Sequence, residues 1–323
     1  MDVTSSELVF DFPFFIRAYK DGRIERLIGT DVVPPSTNPV TGVQSKDVVL
    51  VPETGLSVRL YLPKTAADPG HKLPLLLYFH GGGFCIETAS SPTYHNYLNS
   101  LVDEAKVVVV SVDYRRAPEY PLPVAYDDSW AAVKWAASHS AGGGPEMWLN
   151  DYVDFDRVFF AGDSAGGNIA HNMALRIGSE GINGIKVVGM VLIHPFFWGK
   201  DPIGVPDQGD GGAPPSGLAD KLWMFVCPTS SGSDDPLINP VKDPKFGSLG
   251  CVKVLVCVAE KDSLRDRGRY YCEELGKSGW RGTAEIMEAA GENHVFHLFS
   301  PATDNAVAML KRVASFINDE GNS

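Results

Sequence analysis

Five short runs of almost unbroken apolar residues, at 73–79, 106–112, 157–161, 186–193 and 252–258, constrain this chain more than any other feature. A strand with one wet face alternates apolar and polar residues, because successive side chains point to opposite sides of the sheet. A run such as Leu-Pro-Leu-Leu-Leu-Tyr-Phe at 73–79 has no wet face to offer. Strands of that kind are covered on both sides, as in a parallel sheet. Between the runs the apolar residues recur with a helical period, which predicts helices over 94–105, 126–138, 166–178 and 265–278. A last strand is predicted at 283–288 and a closing amphipathic helix at 305–317. Strand–helix alternation of this kind builds a doubly wound α/β sheet with helices on both faces.

Three regions depart from that rhythm. Alternating residues at 47–51 and 57–62 predict an antiparallel hairpin ahead of the parallel strands. Residues 1–45 are aromatic, then charged, then rich in Pro, Thr and Gly; no sheet strand is expected there, and a short helix or arm is expected near 12–20. The segment 196–218 contains Pro202, Pro206, Pro214 and Pro215 and is too long for an ordinary connection. It leaves the carboxyl end of a strand, where α/β sites open, so it is expected to form a lid with a helix near 220–226. Residues 140–145 read as a glycine-rich surface loop.

Composition narrows the class of function. A chain of 323 residues with 44% hydrophobic content can bury a full core. Its net charge of −12 argues against nucleic acid and anionic membrane partners, both of which require basic patches. No window approaches a transmembrane span, and the start Met1-Asp2-Val3-Thr4 lacks the basic and apolar regions of a signal peptide. The five cysteines are scattered, in no zinc-binding pattern, and read as reduced thiols. A cytoplasmic location is expected.

Chemistry is concentrated at Ser164, in Gly162-Asp163-Ser164-Ala165-Gly166-Gly167, directly after the apolar run ending at Ala161. A strand entering such a turn and a helix leaving it lift the hydroxyl above the sheet, and the flanking glycines leave room for the chain to fold back. The helix start adds free N–H groups and a positive dipole end. Upstream, His80-Gly81-Gly82-Gly83-Phe84 follows the 73–79 run. Consecutive glycines let backbone amides converge on one point, as a developing oxyanion needs, together with the amide of Ala165. A serine also needs a base held by a carboxylate. Asp262 lies just past the 252–258 strand, with Glu260 and Asp266 as rivals; His294 lies in a loop after the last strand, with His297 as its rival. His294 and His297 lack the companion carboxylate motif of a metal site.

These motifs together resemble the plant carboxylesterases of the hormone-sensitive-lipase-like group, which also holds the gibberellin receptors and the 2-hydroxyisoflavanone dehydratases. The resemblance spans nearly the whole chain. It runs through Phe15–Arg23, His80–Phe84, Asp113–Glu119, Gly162–Asn168, Ile193–Phe197, Asp262–Gly268 and His294–His297. It implies one α/β-hydrolase domain over 1–323, capped by elements about 1–45 and 196–226. It also implies a catalytic triad of Ser164, Asp262 and His294, with the oxyanion hole at Gly81, Gly82, Gly83 and Ala165, Gly81 also shaping the loop. Asp113, Arg115 and Glu119 become ion-pairing braces, and Asp163 becomes structural. Phe84, Phe196, Phe197, Trp223 and Val295, with Trp198, are candidates to line an apolar pocket. The expected activity is hydrolysis of a small-molecule carboxylic ester, a plant specialised metabolite among the candidates, without metal or cofactor. A dehydratase using the same triad is the alternative. A hormone receptor is the weaker one, because His294, which the gibberellin receptors lose, is present here.

Overall fold

A computed structural model of the chain describes residues 7–67, 72–204 and 216–319. The chain begins with a small antiparallel sheet of β1 (Leu8–Phe12), β2 (Ile16–Tyr19) and β3 (Ile24–Arg26). This corrects the expected arm or helix. Two tight turns make the sheet possible: the Phe15 N–H reaches back to the Phe12 carbonyl with Phe14 at φ 67°, and Gly22, at φ 84°, donates to the Tyr19 carbonyl. Ile16 and Ala18 face inward between half-buried neighbours, the alternation of a strand with one covered face.

The main sheet follows: β4 (Gln44–Val51), β5 (Leu56–Leu62), β6 (Leu73–Phe79), β7 (Val108–Asp113), β8 (Val153–Asp163), β9 (Val187–Ile193), β10 (Lys253–Ala259) and β11 (Thr283–Ala289). The strands stand in the order β4-β5-β7-β6-β8-β9-β10-β11. β4, β5 and β7 pair antiparallel, and every pair from β7 through β11 is parallel. The predicted hairpin and all the predicted parallel strands are therefore present.

Helices cover both faces. α1 (Pro92–Ala105) and α8 (Asp304–Asn318) pack on one, against Leu76, Tyr78, Val109 and Phe159. α2 (Val124–Ala137), α4 (Ala165–Glu180) and α6 (Arg265–Lys277) pack on the other, against Leu75, Leu77, Phe79 and Phe160. Successive residues of β6 thus enter opposite cores, which is why that run had to be apolar throughout. The shorter helices are α3 (Met147–Tyr152), α5 (Ser216–Val226) and α7 (Phe296–Phe299).

The cap elements meet as the resemblance implies. Phe10 of β1 stacks on Phe225 of α5 with ring centroids 3.7 Å apart and planes within 2°. From β3, Arg26 forms a two-pronged pair with Glu119 and donates to the carbonyls of Cys85 and Ala117. Of the expected lid, residues 205–215 lie outside the described residues. The braces are partly re-sorted: Arg115 pairs with buried Asp128, whereas Asp113 accepts the Ala89 N–H. Arg115→Ala leaves the Asp128 carboxylate buried without its cation, so urea denaturation is expected to show a loss of about 2–3 kcal/mol. An unchanged unfolding midpoint would contradict that role for the pair.

Candidate active site

The site is assembled at the carboxyl ends of adjacent strands. Ser164 follows β8 directly and opens α4 at φ 50°, ψ −116°, a conformation that costs a non-glycine residue roughly 1–3 kcal/mol. Its backbone holds that shape through Ser164 N–H to the Ile193 carbonyl, and through its own carbonyl, which accepts from Phe196 and Asn168. The flanking glycines are required by contact. A Cβ on Gly166 would stand 1.9 Å from the Phe79 carbonyl oxygen, and one on Gly162 would stand 2.3 Å from Gly166.

Asp262 leaves β10 and His294 leaves β11. His294 Nε2 lies 3.0 Å from Ser164 Oγ, and His294 Nδ1 lies 2.7 Å from Asp262 Oδ2. The Leu264 N–H donates to the other oxygen of Asp262, completing the fixation of a carboxylate that is almost fully buried. Burial alone would lower the pKa of His294. The charge and hydrogen bond of Asp262, helped by the charge of Asp163, outweigh burial and raise it. Reciprocally, burial would raise Asp262, and the attraction and hydrogen bond of His294 bring it below the ordinary carboxylate value. The rivals are elsewhere: Glu260 accepts the Gly291 N–H, Asp266 pairs with Arg265, and His297 is buried edge-on against Tyr97.

The oxyanion loop differs from expectation at one residue. Gly82 and Gly83 take φ 96° and 57°, and their amides and that of Ala165 donate to no described residue. Gly81 does not offer its amide: the Gly81 N–H donates to Tyr94 Oη at 2.7 Å. It shapes the loop, and its place in the hole is corrected accordingly. Helix α5 lies over this loop, because a Cβ on Gly83 would approach Leu222 Cδ2 to 3.0 Å.

The expected pocket aromatics sit deeper than an open wall. Phe84, Phe196 and Trp223 are buried, with Phe84 packed against both of the others, and Phe197 stacks on Tyr271. Val295 is half-buried at φ 48°, next to His294. Two clefts of about 460 and 290 Å³ contain no triad residue; Arg59 and Asp113 help line the first, Arg267 and Tyr270 the second.

Sequence reasoning gave no role to two residues that act here, Tyr94 and His194. His194 Nδ1 accepts the Val295 N–H, which orients the loop carrying His294. Ring nitrogens of His194 and His294 and an oxygen of Asp262 lie within 4.8 Å of one another, as metal ligands would. The donor chemistry does not fit a cation. An amide already occupies Nδ1 of His194, and burial keeps this ring neutral, with its pKa lowered to about 3, so its one proton sits on Nε2. Nδ1 of His294 and Oδ2 of Asp262 are engaged with each other.

The comparisons with known proteins decide the family. A family model described as the alpha/beta hydrolase fold matches residues 76–298. The chain belongs to the α/β-hydrolase family. Residues 31–118 of this hydrolase also match a carboxylesterase family model. "Probable carboxylesterase 2" of Arabidopsis thaliana is 47% identical over 98% of this chain and 99% of that one. The 2-hydroxyisoflavanone dehydratase of Glycyrrhiza echinata is 44% identical over 97% of each. Among solved structures, an esterase of Pyrobaculum calidifontis is 28% identical with a TM-score of 0.69, covering 85% of this hydrolase and 84% of that chain. A thermostable carboxylesterase cloned from a metagenomic library is 31% identical at the same TM-score, over 85% and 88% of the two chains.

The nucleophile turn of this hydrolase tolerates no side chain at Gly166. Gly166→Ala forces the turn away from Phe79 and is expected to cost about 3 kcal/mol of stability, read as a lowered thermal midpoint. A variant as stable as the wild type would show that the turn can relax.

Proposed function

We propose that this α/β hydrolase is a serine carboxylesterase that cleaves small-molecule esters through an acyl-enzyme. The observation that carries the reading is the unbroken line from Asp262 through His294 to Ser164, at 2.7 and 3.0 Å. In this mechanism Ser164 Oγ attacks the ester carbonyl carbon as His294 Nε2 takes its proton. Asp262 holds Nδ1–H and stabilises the imidazolium that forms. Charge moves onto the former carbonyl oxygen, where the amides of Gly82, Gly83 and Ala165 receive it. Collapse breaks the bond to the alcohol, which leaves with the proton from His294. A water then repeats the sequence on the acyl-serine and releases the acid.

The proposed substrate is a plant specialised metabolite, and its acyl and alcohol parts are set by the cap. A second reading is favoured by the dehydratase relative: the same base and hole can remove a proton and eliminate water from a 2-hydroxyisoflavanone. The receptor reading lacks support, because the base is in place and hydrogen-bonded to the serine. The proposed compartment is the cytosol, in keeping with five free thiols, although relatives named as mitochondrial or chloroplastic exist.

Hydrolysis of p-nitrophenyl acetate is expected in the wild type and is expected to fall by at least about 10⁴-fold in Ser164→Ala and His294→Ala, while His297→Ala retains the activity. Rapid turnover of a 2-hydroxyisoflavanone with only trace ester hydrolysis would replace the esterase reading with the lyase. The pH profile gives a further test. His294 acts as a base only when neutral, and its pKa is raised, so kcat/KM should fall as pH drops through a midpoint above 6.5. A midpoint below 6.5 would contradict the Asp262 coupling.

A further inference from the structure

Asp163, beside the nucleophile, is a buried carboxylate whose work the triad does not explain. It is 1% exposed, and the groups that act on it most are Tyr78, Tyr94 and His294, with no Lys or Arg among them. Tyr78 Oη donates to its Oδ1 at 2.8 Å, and Tyr94 Oη donates to its Oδ2 at 2.8 Å. Tyr94 Oη in turn accepts the Gly81 N–H. The contact with the loop is also direct, since a Cβ on Gly81 would stand 2.4 Å from Asp163 Oδ2.

The direction of both hydrogen bonds at Tyr94 is forced. A backbone N–H can only donate, so Tyr94 must accept from Gly81 and spend its single proton elsewhere. An ionised carboxylate is purely an acceptor and takes that proton. A neutral amide or acid at the same place would accept from Tyr94 through its one carbonyl oxygen and turn its own N–H or O–H toward Tyr78, reversing that contact. The groups that face Asp163 are Tyr78 from β6, Tyr94 and Tyr97 from α1, Tyr114 after β7, and His294 from the loop after β11. His294 is the one among them that becomes cationic during the reaction.

We infer that Asp163 is a positioning residue for ester hydrolysis: it fixes the oxyanion loop through Tyr94 and Gly81, and places a second negative charge near His294. The inference rests on the serine esterase reading above. Burial pushes the Asp163 carboxyl up to about 6, against the lowering effect of the two phenols and of His294, so the ion is held there at an energetic cost. Such a cost is expected where a group is kept for function and not for stability.

The test compares Asp163→Asn and Tyr94→Phe with wild type on p-nitrophenyl acetate across pH. Asp163→Asn should lower kcat about tenfold or more with KM within about twofold, because the hole acts mainly in the transition state. Its acid limb of kcat/KM should also move to lower pH, since a lost negative charge lowers the pKa of His294. Tyr94→Phe cuts the relay but leaves the carboxylate in place, so its kcat should fall while its acid limb moves less than that of Asp163→Asn. An Asp163→Asn enzyme with wild-type kcat and an unmoved acid limb would overturn the inference. If that variant does not fold, wild-type kcat in Tyr94→Phe overturns it instead. A wild type inactive on the ester would sink the esterase reading itself, before any variant is compared.

Discussion

The register of β6 against β8 is the constraint on which the site depends. It sets Phe79 opposite Gly162, so the two strands release their chains side by side at the same edge of the sheet. One chain becomes the His80–Gly83 loop and the other becomes the turn at Ser164. The approach is close enough that Gly166 touches the Phe79 carbonyl, and no residue with a Cβ fits there. The same logic continues outward. β8 pairs Asp163 with Ile193, β9 pairs Ile193 with Cys257, and β10 pairs Ala259 with Ala289. His194, Asp262 and His294 therefore emerge in a row beside Ser164, although 130 positions separate Ser164 from His294. A parallel sheet can do this because all its carboxyl ends point the same way.

Electrostatics then sorts the residues that geometry has gathered. Four histidines near the sheet, His80, His171, His194 and His297, lose their charge to burial, and at His194 the charge of Asp262 opposes burial without overcoming it. His294 is only half-buried, hydrogen-bonds the Asp262 carboxylate, and is driven the other way by Asp262 and Asp163. The contrast separates the base from its structural neighbours on physical grounds: a group that must gain a proton in the reaction needs an anion behind it. The strained φ of Ser164 has a similar meaning. Backbone hydrogen bonds to Ile193, Phe196 and Asn168 hold it in place, so the hydroxyl is presented before substrate arrives.

Much of this was legible in the sequence. The apolar runs gave the parallel strands, because residues buried on both faces leave no choice of composition. Ser164, Asp262 and His294 were readable from position relative to those strands. The N-terminal sheet was missed because its strands are as short as Ile24–Arg26 and rest on turns, one of them carried by Phe14 and not by glycine. Gly81 was grouped with Gly82 and Gly83 because three glycines look alike until one amide is found engaged with Tyr94. Phe84, Phe196, Phe197 and Trp223 show the limit of composition: an aromatic residue that lines a pocket and one that packs a core are the same letter. Tyr94 gave no signal at all, since a tyrosine on the buried face of α1 reads as packing.

The central claim is that Ser164 forms a covalent acyl-enzyme, and intact-protein mass spectrometry with a fluorophosphonate tests it most directly. The reagent resembles the tetrahedral intermediate and stays on the nucleophile. The account predicts one adduct per chain, located by peptide mapping on Ser164, and its loss in His294→Ala. Labelling of a different residue, or full labelling without His294, would contradict it.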